Sequence, residues 1–241
     1  GLHWANGALQ RNNSAYSEGM STLQRIIFEN LPETNDDVHI LQIKMLTRTS
    51  GKHAYDFITS WEQSMAVAQK ILPTDLISLP DPEDLNYPEV YSEIACYDAI
   101  SGTAEAICDS ALEEEWLYIT LPESDLELDG DLATTTEVIQ AYENIYGARR
   151  IKIKGEQAFE GGPALNFVEF AGYDGDHILY NIHWKSKSTG IVIEFGAHIA
   201  AGYSPSGFYP DDDEYSVPEH GIIGYGPQRG ASDISGASYH V

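Results

Sequence analysis

The chain has 241 residues, of which 42% are hydrophobic, and this length and composition fit a globular protein with a real core and exclude wholesale disorder. Its 13 Lys and Arg residues stand against 38 Asp and Glu residues, which gives a formal net charge of −25. Because nucleic acids and anionic membranes attract basic surfaces, neither is an expected partner, whereas divalent cations are. No apolar run approaches the roughly 18 residues that a membrane span needs, so membrane insertion is not predicted.

Residues 1–15 are predicted to form an N-terminal arm ahead of a main domain that spans residues 16–241. Leu2 and Trp4 are two residues apart, and Ala8 lies on the same face of an extended chain. If the arm pairs with a neighbouring subunit, these side chains would fill adjacent pockets of that subunit's sheet. The alternative is an ordinary first strand of the same domain. Because the chain begins with glycine rather than methionine, we also expect that a leader was removed.

The strands come next, most of them separated by turn-forming residues. Shorter runs predict strands at residues 26–29, 38–47, 116–121, 151–154 and 165–171. The most regular alternation places Ile178, Tyr180, Ile182 and Trp184 on one face of a strand. A turn signal follows at residues 187–190, and a second alternating run begins at Ile191, so the two runs are predicted to form a hairpin.

Helical spacing is rarer. Thr136–Tyr146 has apolar residues at helical spacing after a run of threonines that can cap a helix. Tyr55–Leu72 is predicted as a second helix that ends before Pro73. These elements together predict a mainly β fold, a single jelly-roll-like β-sandwich with long acidic loops and one or two short helices.

Acidic clusters in the predicted loops are the strongest chemical signal. Calcium takes roughly six to eight oxygen ligands, which closely spaced loop carboxylates and backbone carbonyls can supply. None of the clusters matches a complete EF-hand loop, and an Asp-Gly pair is also a common turn. The clusters nevertheless favour calcium as a ligand of the protein. The candidate ligands are Asp129, Asp131, Asp174, Asp176, Asp211, Asp212 and Asp213.

The two cysteines, Cys96 and Cys108, lie in a segment rich in small residues. Neither belongs to a cluster with zinc spacing, so a metal-thiolate site is not predicted. A disulfide between them would close a short loop and suit a secreted protein, while two buried free thiols are the alternative. Asn12 begins a glycosylation sequon, which allows an attached glycan.

Catalytic motifs are missing. The sequence has no His-Glu-x-x-His zinc motif and no phosphate-binding P-loop. The glycine-rich run at residues 224–230 departs from dinucleotide-binding spacing, and the run at residues 202–207 departs from that of a nucleophile elbow. We therefore do not expect an enzyme.

Several segments look like landmarks of secreted prokaryotic surface-protein modules. They are residues 4–9, 16–19, 25, 51–57, the pair 96 and 108, and residues 194–200 and 230–240. In type, the chain is similar to the self-assembling subunits of prokaryotic extracellular filaments and archaeal cannulae. The resemblance implies assembly by donor-strand complementation, with calcium at some subunit contacts. The long acidic loops depart from that pattern.

These observations predict a secreted structural subunit, extracellular or at the cell surface, that polymerises with copies of itself into a filament or tube. One alternative is an adhesin or carbohydrate-binding module, which would expose a row of Trp or Tyr on one sheet face. The second alternative is a secreted hydrolase, which would need a cleft with convergent acids.

Overall fold

The structure is a computed structural model that describes residues 16, 18–32, 38–71, 107, 116–122, 133–202, 216–217, 221–226 and 228–234. These ranges include the α-helices α1 (Trp61–Ile71) and α2 (Thr135–Tyr146) and two short 3-10 helices, at Gly162–Ala164 and Ala231–Asp233. The strands are β1 (Ser21–Phe28), β2 (His39–Leu46), β3 (Arg48–Thr49), β4 (Lys52–His53), β5 (Tyr55–Thr59), β6 (Leu117–Thr120), β7 (Arg150–Gly155), β8 (Phe167–Asp174), β9 (His177–Trp184), β10 (Ile191–Ile199), β11 (Ser216–Val217) and β12 (Ile222–Ile223). Neither α1 nor α2 has the length and apolar character needed to cross a membrane.

Two antiparallel sheets form the body of the protein. Four strands of the five-stranded sheet lie in the order β1-β10-β7-β6. The fifth strand, β5, pairs with the C-terminal part of β10, after the residues of β10 that pair with β7. The three-stranded sheet runs β2-β9-β8. The pairs β3-β4 and β11-β12 form two smaller sheets.

Side chains from both sheets fill one core, which makes the fold a mainly β sandwich and confirms the predicted fold class. The face of β9 predicted to be buried is buried: Ile178, Tyr180, Ile182 and Trp184 are each at most 2% exposed. They meet Ile193 and Phe195 of β10, among others.

The predicted hairpin between β9 and β10 is wrong, because the two strands lie in different sheets. All nine residues of β10 are buried, so this strand needs a central place in the larger sheet rather than an edge next to β9. The connection between β9 and β10 passes from one sheet to the other, and hydrogen bonds to the loop after β7 fix its position. Gln157 N donates to Ser188 Oγ at 2.8 Å, and Thr189 N donates to the Glu156 carboxylate at 3.1 Å.

The true hairpin partner of β9 is β8. Their connection is the tight turn at Gly175-Asp176, and Asp174 faces His177 across it. Gly175 has φ +61°, a left-handed conformation that glycine adopts without strain. One of the predicted acidic clusters is therefore the turn of a hairpin.

Helix α2 begins one residue before the predicted bound and carries the expected threonine cap. Thr134 Oγ1 accepts from Glu137 N at 3.3 Å, and Thr134 N donates to the Glu137 carboxylate at 2.8 Å, which completes a capping box. The hydrogen bonds that Thr134 N and Thr134 Oγ1 donate to the Glu137 carboxylate lower the pKa of Glu137.

The helix predicted over Tyr55–Leu72 is correct only in its second half. Its first five residues form β5, because Tyr-Asp-Phe-Ile-Thr is rich in aromatic and β-branched side chains and pairs with β10. Helix α1 starts at Trp61 and packs on β1, β7 and β10, so it covers the outer face of the five-stranded sheet.

Candidate functional site

Strand β2 is the edge of the three-stranded sheet. Within the described ranges it pairs only with β9, in unbroken register over all eight residues. The opposite edge, β8, is interrupted by a bulge between Phe170 and Gly172. An edge as long and regular as β2 presents a row of backbone donors and acceptors that another strand can pair with.

Apolar side chains flank this edge on both faces. Ile40 points outward and is 61% exposed. On the inner face, Leu41 is half-buried while Ile43 and Met45 are buried in the core. An added strand would extend this inner row and cover Leu41 further.

Outside β2, a row of polar side chains crosses the solvent-facing side of the same sheet. Gln42 Nε2 donates to Asn181 Oδ1 at 3.0 Å, and Asn181 Nδ2 donates to Glu169 Oε1 at 2.8 Å. His183 Nε2 lies 3.1 Å from the same Glu169 oxygen. These hydrogen bonds, that of Asn181 first, lower the pKa of Glu169. The row keeps this face hydrated and ties the three strands together.

Two of the predicted calcium ligands lie at the β8-β9 turn. The Asp174 carboxylate pairs with Lys44, and this hydrogen bond and charge lower the pKa of Asp174. The backbone carbonyl of Asp176 accepts from Thr47 N and Thr47 Oγ1, each at 2.8 Å. Within the ranges that the structure describes, no three His, Cys, Asp or Glu side chains gather as a metal site. Calcium binding therefore stays a prediction.

The other predicted site residues lie outside the described residues. They are the calcium candidates Asp129, Asp131, Asp211, Asp212 and Asp213, the cysteines Cys96 and Cys108, and the arm residues Leu2, Trp4 and Ala8. The disulfide and the arm therefore stay predictions as well.

A buried ionic cluster, which no sequence pattern predicted, lies on the outer face of the five-stranded sheet. Glu194 of β10 is 0% exposed, and its Oε1 accepts from Arg25 Nε of β1 at 2.8 Å. Its Oε2 lies 3.2 Å from Lys152 Nζ of β7, and Lys152 is 1% exposed. Glu62 of α1 approaches the same Nζ to 3.3 Å.

Two tryptophans enclose this cluster. Lys152 Nζ lies 4.6 Å from the ring centre of Trp116 and 5.4 Å from that of Trp61. Such cation–π contacts are strongest where water is excluded. Helix α1 and Trp116 thus bury this part of the outer face of the five-stranded sheet.

A second buried polar network joins β5, β10 and α2. Asp56 Oδ1 lies 2.6 Å from His198 Nδ1, and Asp56 Oδ2 accepts from Tyr225 OH at 3.0 Å. The Tyr225 hydroxyl also lies 3.1 Å from Thr135 Oγ1 at the start of α2. Asp56, His198 and Tyr225 are at most 1% exposed, so this acid–histidine contact lies in the packed interior and lines no cleft.

One surface groove of about 540 Å³ lies beside the ionic cluster. Its lining includes Glu62 and Gln63 of α1, Thr120 of β6 and Arg150 of β7. The exposed tyrosines of the described strands, Tyr118 and Tyr173, lie on different sheets. The described part of the chain therefore shows no aromatic row of the kind a carbohydrate-binding face would present.

Comparison of the chain with protein-family models, with curated proteins and with solved structures found no match.

Proposed function

We propose that this protein is a secreted structural subunit that polymerises into an extracellular filament or tube by adding a strand from one copy to the sheet of the next. The observation that supports this most is the β2 edge: eight regular residues whose described partner lies on one side only. Its exposed Ile40 and half-buried Leu41 are apolar surface that an added strand would cover.

The proposed occupant of this edge is the N-terminal arm, residues 1–15, of a second copy. The arm is longer than the eight-residue edge, and Leu2, Trp4 and Ala8 recur on one face of an extended chain. Backbone hydrogen bonds would supply affinity, and these three side chains would extend the inner row of Leu41. Because the contact is head-to-tail, its repetition gives an open fibre or a closed ring.

Deletion of residues 1–15 tests this mechanism. We expect folded subunits that do not assemble, as measured by electron microscopy and sedimentation, and we expect a synthetic peptide of residues 1–15 to cap the polymerisation of the full chain. A peptide with Leu2 and Trp4 replaced by Asp is the matched control and should not cap. Polymers that form equally well without the arm would contradict strand addition by this segment.

Calcium is proposed as an aid to assembly. A net charge of −25 makes every subunit repel its neighbours, and cations bound at the acidic loops would reduce that repulsion. Chelation should therefore lower the melting temperature or loosen the polymer, and added calcium, but not added sodium at equal ionic strength, should restore it. An unchanged melting curve and assembly state in excess chelator would contradict this role.

A further inference from the structure

Lys152 and Glu194 face each other directly across the β7-β10 pair. The Nζ of Lys152 lies 3.2 Å from Oε2 of Glu194, and both side chains are shut off from solvent. Although they are so close, neither of these two atoms makes a hydrogen bond within the described part of the chain. A buried amine and a buried carboxylate thus touch without the geometry that would satisfy them as an ordinary hydrogen-bonded ion pair.

The groups around this pair are those that amide formation needs. Glu62 Oε1 lies 3.3 Å from the same Nζ and can accept a proton from it. Arg25 Nε donates to the other oxygen of Glu194, Oε1, at 2.8 Å. The rings of Trp61 and Trp116 lie over the amine and keep bulk water from it.

We propose that Lys152 and Glu194 condense into an intramolecular amide bond that links strands β7 and β10 covalently. Glu62 takes a proton from the Lys152 ammonium and passes it to Oε2 of Glu194, and the neutral amine then attacks the carbon of the neutral carboxylic acid. The N–C bond forms, and negative charge gathers on Oε1, where Arg25 stabilises it. Glu62 then takes a second proton from the attacking nitrogen and passes it to Oε2, which leaves as water, so that one ammonium and one carboxylate become one amide and one water molecule.

The position of the site favours the amide over the free groups. Condensation removes two charges that are buried away from water, which are costly to keep there. Glu62 is 44% exposed, so it connects the reacting atoms to the surface, where the released water and protons can leave. By contrast, Lys44 and Asp174 on the other sheet are 46% and 64% exposed. Because water solvates both of these charges, condensation of this ion pair would not relieve a cost of burial.

The bond is intramolecular and requires no second subunit, so this proposal does not depend on polymerisation. Its direct test is the intact mass of the full chain, purified in the folded state and then denatured. We expect a mass below that of the linear sequence by about 18 Da, one water. Tandem mass spectrometry of a digest should then locate the loss in a branched peptide that joins Lys152 to Glu194.

Substitutions of the reacting residues and of Glu62 test which groups the amide bond requires. Lys152→Arg keeps the charge but lacks the amine, so the chain should have its full linear mass. Glu62→Gln should leave most of the chain uncross-linked. Glu194→Gln releases ammonia instead of water, so it should lose about 17 Da. Lys44→Arg is the matched control and should keep the loss seen in the unaltered chain. Full linear mass of the unaltered folded chain would overturn the proposal.

Discussion

The outer faces of the two sheets differ: that of the five-stranded sheet is covered by α1, and that of the three-stranded sheet carries exposed side chains of β2. In β2, Lys44 follows Ile43 and is 46% exposed on a sheet face open to solvent. In β7, Lys152 follows Ile151 in the same alternation, yet it is 1% exposed beneath α1. Alternation therefore decides which residues share a face, but the segments packed on that face decide whether it meets water.

The difference matters because the two faces have different chemistry. On the open face, polar groups such as Glu169 and Asn181 satisfy one another and remain hydrated. On the covered face, Glu194, Arg25 and Lys152 lie against one another away from water, so the loss of any one of these side chains is expected to be costly. The predictions below contrast the two faces, beginning with the largest expected effect.

Removal of the Glu194 side chain should destabilise the protein most. Glu194→Ala takes away the group that meets Lys152 and accepts from Arg25, and it leaves both cations buried without that partner, so we expect the free energy of unfolding to fall by about 3–5 kcal/mol. The matched variant on the open face, Asp174→Ala, breaks an exposed pair and should leave the unfolding midpoint within error. Urea denaturation of both variants measures the contrast. Equal losses of unfolding free energy in the two variants would show that burial beneath α1 does not cause the large effect of Glu194→Ala.

The contact between α1 and β10 allows a second test. At Gly196, an added Cβ would lie 2.0 Å from Ser64 Oγ and 2.3 Å from Thr59 Oγ1. Gly196→Ala should therefore cost about 1–3 kcal/mol by overpacking. Because Ser64→Ala removes the nearer of the two atoms, the double variant should lose less stability than the sum of the single variants. Strict additivity in thermal melts would contradict so close a contact.

The core between the sheets should be sensitive to alkali. Burial raises the pKa of Tyr142, Tyr180 and Tyr225 above the usual value of 10.0, and burial raises the pKa of Tyr146 to about 12. Below pH 10 these hydroxyls are neutral in both the folded and the unfolded chain, so their contribution to stability is fully present. Above pH 10 these tyrosines lose their hydroxyl protons in the unfolded chain before they lose them in the folded chain, so the free energy of unfolding falls as the pH rises.

Tyrosinate absorbance and circular dichroism, followed together, measure this effect. Unfolding should accompany the ionisation of the buried tyrosines, and Tyr146→Phe should weaken the fall in stability between pH 10 and 12. Ionisation of all tyrosines near pH 10 in a chain that stays folded would contradict their burial.

The open edge should affect assembly while leaving stability unchanged. Ile40→Lys replaces a side chain that is 61% exposed, so we expect a change in unfolding free energy within about 0.5 kcal/mol. The charge at the β2 edge should nevertheless block strand addition and abolish polymers. Ile145→Lys, at a position on α2 that is 41% exposed, is the matched control and should assemble normally. If both variants polymerise alike, β2 is not the acceptor edge.

Local patterns predicted several single elements, although the first five residues of the helix predicted over Tyr55–Leu72 form β5. The alternation in β9 identified its buried face, and the threonines before α2 identified its cap, because both signals are local in the sequence. The pairing of strands was predicted less well. A turn signal after β9 suggested a hairpin, but β10 is buried on both faces and pairs with β1, β5 and β7 instead.

The ionic cluster could not be predicted because its members come from four distant elements. Arg25, Glu62, Lys152 and Glu194 lie on β1, α1, β7 and β10, and each is an ordinary surface residue by type. Only the tertiary placement of α1 over the sheet makes them a buried set. The acidic cluster at Asp174 was recognisable from the sequence, and the structure adds that it forms a hairpin turn and pairs with Lys44, while calcium binding there stays a prediction.

Electron microscopy of the purified full chain, in calcium and at rising protein concentration, tests the central claim most directly. Assembly by strand addition predicts filaments or tubes with a regular axial repeat, which are absent from the chain that lacks residues 1–15. Single particles of monomer size at every concentration, in calcium and without it, would contradict the proposal that this protein is a polymerising subunit.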